Sequence, residues 1–235
     1  MAKHLDTICS LIVAAAALVM TGTYVGQEFA SSQHRHEGHS YQKNWRELIG
    51  AGVPVGNPNA PIKMVEFGDF QCPFCRNFAA VYDSVKSQYG DRVELVFIHV
   101  PIHAHKYALP AARAAECAAA QGHFADYYHL IYANQDSLGS WSWTSVAHRA
   151  GVPDASVFNK CFLSPAQKPR IVLGSAVAKQ FEVEGTPTII VNGWRFYSTP
   201  TSADLMSAIN LLLQKRYPFP QDSKFSRLRH RLSVG

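Results

Sequence analysis

The chain has 235 residues, 47% of them hydrophobic and 17% charged, enough to bury one good core with segments left over at each end. Its net charge of +5 is concentrated at one end: Lys215 to Gly235 holds six Lys/Arg against one acid, and the preceding residues balance at sixteen against sixteen. A neutral body without clustered Lys and Arg excludes a nucleic-acid groove, and no nucleic-acid partner is expected.

The first element is Ile8 to Gly26, nineteen residues without a charge, preceded by Lys3 and His4. That is near the length needed to cross a bilayer. A cleaved signal peptide is the competing reading, but Ala30 has Glu28 at the minus-three position, which spoils a small-x-small cleavage site. We expect a signal-anchor or transmembrane segment over residues 1–30, entering the membrane through residues 8–26, with Lys3 inside and everything after Gly26 outside. Cys9 lies within it as an apolar residue.

Residues 31–57 read as a linker with a short helix. The stretch 31–43 is polar and carries His34, His36 and His39; flexible His-rich linkers usually bind no specific ligand, so no metal is assigned to it. A short helical stretch follows from Tyr41 to Ile49, and Gly50 to Pro61, rich in Gly, Pro and Asn, is expected to be irregular.

Ile62 to Phe67 reads as a buried strand, Phe74 to Tyr89 as a helix ended by Gly90, and Val93 to Val100 as a second strand, together a parallel strand–helix–strand unit. From Ala104 to Phe181 the pattern changes to successive helices, with Ala108 to Ala120, Phe124 to Tyr132, Trp143 to Ala150 and Pro165 to Phe181 as its segments. Thr188 to Val191 is a strand, Asn192-Gly193 a hairpin turn, and Arg195 to Tyr197 the returning strand. Thr201 to Gln214 closes the domain as a helix. The tail 215–235, with Lys224, Arg227, Arg229 and Arg231, reads as a solvated basic end.

The chemistry sits between the first strand and its helix, at Cys72-Pro73-Phe74-Cys75. A thiol at the first turn of a helix faces unpaired N–H groups and the positive end of the macrodipole, which favour the thiolate. The thiolate attacks disulfides, and a second thiol one turn on can close an intramolecular disulfide and eject the bound partner. Half of a zinc site is the alternative. Only Cys117, Cys161 and scattered histidines could complete it, none at finger spacing. No metal or other cofactor is expected.

The run Ala60 to Cys75, Ala-Pro-Ile-Lys-Met-Val-Glu-Phe-Gly-Asp-Phe-Gln-Cys-Pro-Phe-Cys, resembles the active-site approach of DsbA-like thioredoxin-fold proteins. Ala111 to Phe124 resembles the start of that family's helical insertion, and Gly185-Thr186-Pro187-Thr188 matches its loop before the third strand. The resemblance covers roughly residues 58–214. It implies an α/β thioredoxin fold with an inserted helical subdomain at about 104–181, preceded by the anchor or signal segment. It further implies a cis Thr186-Pro187 bond against the cysteines, with Thr186, Pro187, Pro73 and Phe74 contacting substrate. The backbone beside such a proline is free to pair with an extended peptide.

By the same resemblance Glu66, at the end of a buried strand, helps protons reach or leave Cys75. A carboxylate buried without a partner should hold its proton more tightly. A second disulfide, Cys117 to Cys161, occurs in some relatives; two buried free thiols are the alternative. His99, His103 and His105 are left as surface or packing residues, and Trp141 and Trp143 as core or rim.

The implied function is a thiol:disulfide oxidoreductase, Cys72 attacking and Cys75 resolving, which promotes disulfide formation in exported cysteine-containing proteins. A membrane redox partner would recharge the pair. The location would be the bacterial inner membrane, single-pass, with the domain in the periplasm or outside the cell, or soluble periplasmic if the N-terminal segment is cleaved. Pro73 and Phe74 donate no hydrogen bond to sulfur, unlike the histidine some relatives carry there. Reductase or isomerase activity is one alternative; a membrane-anchored peptide-binding holdase and a metal-handling protein are others, of a different class.

Overall fold

The computed structural model describes residues 39–219. The expected anchor, His34 and His36 of the linker, and the basic tail from residue 220 onward lie outside the described residues. Among those described, no helix is long and apolar enough to cross a membrane.

The strands are β1 (His39–Tyr41), β2 (Val53–Gly56), β3 (Ile62–Gly68), β4 (Val93–His99), β5 (Thr188–Val191) and β6 (Trp194–Phe196). They form one six-stranded sheet in the order β1-β6-β5-β3-β4-β2. Only β3 and β4 run parallel, with Met64 opposite Leu95 and Glu66 opposite Phe97. Both are buried along almost their whole length, as a central parallel pair covered on both faces requires. The crossover between them is α2 (Pro73–Tyr89), preceded in the chain by α1 (Glu47–Ala51).

Alternation along β3 divides the core. Ile62 and Met64 pack with Phe78, Tyr82 and Val85 of α2 and with the helical insertion, whereas Val65 and Phe67 face the other side, towards Val177 and Phe181. A strand's side chains alternate faces, so Glu66 shares the α2 face with Met64. At the hairpin, Asn192 and Gly193 both have positive φ, 44° and 94°, the backbone that a two-residue primed turn requires.

Gly50 to Pro61 differs from the expected irregular stretch. Val53–Gly56 is a strand paired antiparallel with β4, its valines buried and Pro54 exposed. Proline is tolerated because β2 lies at the sheet's edge. His39–Tyr41 likewise pairs with β6, so the stretch read as linker supplies both edges of the sheet. The helix expected from Pro165 begins at Pro169, which takes a first-turn position needing no N–H.

The insertion comprises α3 (Ala108–Ala119), α4 (Phe124–Ala133), α5 (Trp143–Arg149), α6 (Ala155–Leu163) and α7 (Pro169–Gln180), after which α8 (Ser202–Leu213) closes the fold. Buried His99 at the end of β4 lies 3.0 Å from Glu116 Oε1 on α3, and Arg170 Nε of α7 donates to both oxygens of that carboxylate at 3.0 and 2.9 Å. Burial pushes the Glu116 carboxyl up, but His99 and Arg170 outweigh it and hold it below its ordinary value. Helix α7 also presses on β4, since a Cβ at Gly174 would stand 2.3 Å from the His99 carbonyl oxygen.

Cys117 of α3 and Cys161 of α6 are joined by a disulfide across 44 positions. Closing a loop of that length restricts the unfolded chain. The double variant Cys117→Ala/Cys161→Ala is expected to lose about 3–4 kcal/mol in denaturant unfolding. An unchanged unfolding midpoint would refute that role.

Candidate active site

Asp69, Phe70 and Gln71 carry the chain from β3 into α2, and Cys72 stands at the helix N-cap in extended conformation with Pro73 in the first turn. A cap residue lies where backbone N–H groups have no helical partner, which favours a negative sulfur, although the Cys72 side chain makes no cap hydrogen bond. Cys75 follows one turn on. Both cysteines are free and buried. The Cys72 thiol donates to the Thr186 carbonyl oxygen at 3.2 Å, and Thr186–Pro187 is a cis peptide. Phe74 leaves 63% of its surface exposed beside them, an apolar rim.

The electrostatics separate the two thiols. Cys72 falls to about 5: the hydrogen bond from the Cys75 thiol contributes most, burial opposes it, and the Thr186 side chain with the backbone N–H groups of Cys75 and Phe74 adds to it. The missing side-chain donor between the cysteines is thus replaced by the Cys75 thiol and main-chain amides. Cys75 moves the other way. Burial first, then its bond to Cys72 and the nearby Glu66 charge, raise it well above an ordinary thiol. One sulfur is thus favoured as thiolate and the other as thiol.

Glu66 is fully buried and accepts a hydrogen bond from the Tyr128 hydroxyl at 3.0 Å. Burial raises its carboxyl to about 8, with Tyr128 pulling it back and the Cys72 charge adding to the rise. Cys72, Cys75, Glu66, Thr186 and Pro187 therefore meet at one end of α2. Cys117 and Cys161 form their own disulfide in the insertion. Among the described residues no group of His, Cys, Asp or Glu could hold a metal ion.

The family model described as "Thioredoxin" matches residues 49–210. The chain belongs to the thioredoxin family. Two solved structures share its form. A thioredoxin-like oxidoreductase from Silicibacter pomeroyi DSS-3 has TM-score 0.60 and 23% identity, over 72% of this chain and 98% of that one. The thiol-disulfide exchange protein alpha-DsbA2 from Wolbachia pipientis has TM-score 0.62 and 20% identity, over 72% and 92%. This thioredoxin-family chain thus has the DsbA-like fold, helical insertion included. Among curated proteins it is 35% identical over 157 residues to Na(+)/H(+) antiporter NhaA 1 of Mycolicibacterium gilvum, a stretch that is 66% of this chain and 25% of the antiporter. The chain spans about a quarter of the length of such relatives.

Several residues of this thioredoxin-family site were not singled out in the sequence. Gln135, just after α4, donates from Nε2 to the Phe70 and Cys72 carbonyl oxygens, both at 2.9 Å. Asp69 accepts from the N–H groups of Gln71 and Ile102 and lies 2.8 Å from His105 Nδ1, while its own N–H reaches Cys75 Sγ at 3.5 Å. Tyr132 donates to the Asp69 carbonyl oxygen. His105 thus stands in the shell around the cysteines, whereas His99 is buried on Glu116 and His103 is exposed. Trp141 and Trp143 are partly buried within the insertion. The sequence read Phe124 to Tyr132 as a helix, and the structure has one over Phe124–Ala133, but its aromatic density reads equally well as packing and marked none of its residues for the site.

Proposed function

We propose that this chain is a thiol:disulfide oxidoreductase that forms disulfides in exported cysteine-containing proteins outside the cytoplasmic membrane. The observation that carries the reading is the Cys72 sulfur at the α2 N-cap, ionised near pH 5 and facing the cis-proline loop. A substrate thiolate attacks Cys72 of the enzyme disulfide, forming a mixed disulfide and releasing Cys75 as a thiolate, which takes a proton from Glu66. The substrate's second thiolate then attacks its own sulfur in the mixed disulfide and expels the Cys72 thiolate. Two electrons pass from substrate to enzyme, and a membrane redox partner removes them. Thr186, Pro187, Pro73 and Phe74 form the surface met by the substrate.

A stabilised Cys72 thiolate favours the reduced enzyme and makes its disulfide an oxidant. The Cys117–Cys161 bond supports residence in an oxidising compartment. Sodium/proton exchange, named for relatives of which this chain spans about a quarter, is not carried over. Equilibration against graded glutathione buffers tests the direction: a potential near the DsbA end, roughly −120 mV, supports the oxidase, and one near thioredoxin, roughly −270 mV, sinks it in favour of a reductase.

The same ionisation makes a stability prediction. A thiol whose folded pKa lies below the unfolded value of about 8.5 stabilises the reduced protein most above that value. The contribution declines as the pH falls and is gone below about 5. The oxidised protein has no such group. The stability of reduced relative to oxidised protein is therefore expected to fall as the pH drops from neutral toward about 5; a difference that stays constant with pH contradicts the ionisation.

A further inference from the structure

We infer that Tyr128, contributed by the inserted helix α4, is the positioning residue that sets when Glu66 exchanges a proton with Cys75. The inference rests on the disulfide-exchange reading and deepens it, because it places control of the proton in the insertion and not in the thioredoxin core.

The two Glu66 oxygens are not equivalent. Oε2 takes the Tyr128 hydroxyl at 3.0 Å. Oε1 is buried and has no hydrogen-bond partner among the described residues. Space beside Oε1 exists only because position 68 is glycine: a Cβ there would stand 2.9 Å from Oε1 and 2.3 Å from the Phe97 ring. One oxygen is thus held by the insertion and the other is left for the thiol. Tyr128 is itself fully buried, and burial, with the Glu66 charge next, keeps its phenol protonated far above its ordinary range. It acts as a donor that rotates without ionising.

The titratable groups facing the pair are few. Cys72 and Cys75 face Glu66 from α2. Tyr132 of α4 feels the Glu66 charge as well as those of Cys75 and Asp69. Tyr82 of α2 acts on Tyr128. From the flanking strands, the residues paired with Glu66 are apolar Phe97 and Ile189. The His129 ring of α4 also stands edge-on to the Tyr128 ring at 5.3 Å and lies 3.2 Å from Asp83 Oδ1. No cation is among the groups acting on Glu66, so the Tyr128 hydroxyl is the main group opposing the burial of the carboxylate.

In the closing step Glu66 carboxylate takes the Cys75 proton, and the Cys75 thiolate attacks Cys72 of a mixed disulfide. The Cys72–Cys75 bond forms as the Cys72–partner bond breaks, and the partner leaves as a thiolate. Removing the Tyr128 donor makes the carboxylate costlier, so this step is pushed to higher pH.

The experiment uses the full chain loaded at Cys72 with glutathione as a mixed disulfide, and follows glutathione release against pH. Tyr128→Phe is expected to move the midpoint upward by about one pH unit or more, the worth of a hydrogen bond to a charged group. Tyr127→Phe, which removes a neighbouring buried hydroxyl of α4 that has no hydrogen-bond partner among the described residues, should leave the midpoint in place. In a Glu66→Gln background, Tyr128→Phe should change nothing. Should Tyr128→Phe not fold, 3-fluorotyrosine at position 128, a stronger donor of the same shape, should move the midpoint downward. Failure of the wild type to release glutathione at any pH defeats the exchange reading itself. Normal release with an unmoved Tyr128 midpoint, or an equal shift in the Glu66→Gln background, overturns this inference alone.

Discussion

Cys72→Ser is expected to abolish disulfide exchange, leaving reoxidation of a reduced two-cysteine substrate at its uncatalysed rate. The argument rests on which atom is ionised. With its pKa lowered to about 5, Cys72 is almost wholly thiolate at neutral pH, whereas a serine hydroxyl at the same cap position stays protonated and cannot form the mixed disulfide. Cys75 cannot substitute, because burial and its neighbours hold it protonated and it is fully covered. The fold should survive, since serine is a good N-cap. Loss of free thiols from the substrate measures the rate. Persistent exchange by the folded variant would place the nucleophile elsewhere. Retained peptide affinity without any exchange in the wild type would favour a holdase.

Glu66→Gln is expected to remove a pH dependence of stability at the core of the site. The Glu66 carboxyl is raised to about 8, so the folded protein prefers it neutral. Its contribution is fully present below the unfolded pKa near 4.5 and is lost as the pH rises to about 8. Glutamine keeps the shape and the neutral state at every pH. Reduced wild type and variant should therefore have nearly equal unfolding free energies near pH 4, and the variant should be more stable by on the order of a few kcal/mol near pH 9. Denaturant unfolding across that range checks it. Parallel curves for the two proteins would show that the buried carboxyl does not titrate as described.

Where patterns were local, the sequence was legible. The β3–α2–β4 unit follows from two apolar runs around an amphipathic segment ended by glycine, and the β5–β6 hairpin from Asn192-Gly193. The edge strands were not. A strand of three or four residues such as β1 or Val53–Gly56 has too little pattern of its own and exists only because β6 and β4 offer unpaired backbone groups. The same distinction runs through the site. Cys72, Cys75 and Glu66 lie within ten positions of one another and share one readable motif, whereas Tyr128 reaches Glu66 across 62 positions and Gln135 reaches Cys72 across 63.

The order of residues alone placed a pair of sulfurs at a helix start with an acid on the strand before it, because spacing along a strand and a helix turn decides which side chains share a face. Packing of the insertion decided the rest. The state of Glu66 depends on how deeply the helices cover it and on a phenol brought from α4, and burial depth and contact between distant segments are properties of the assembled chain.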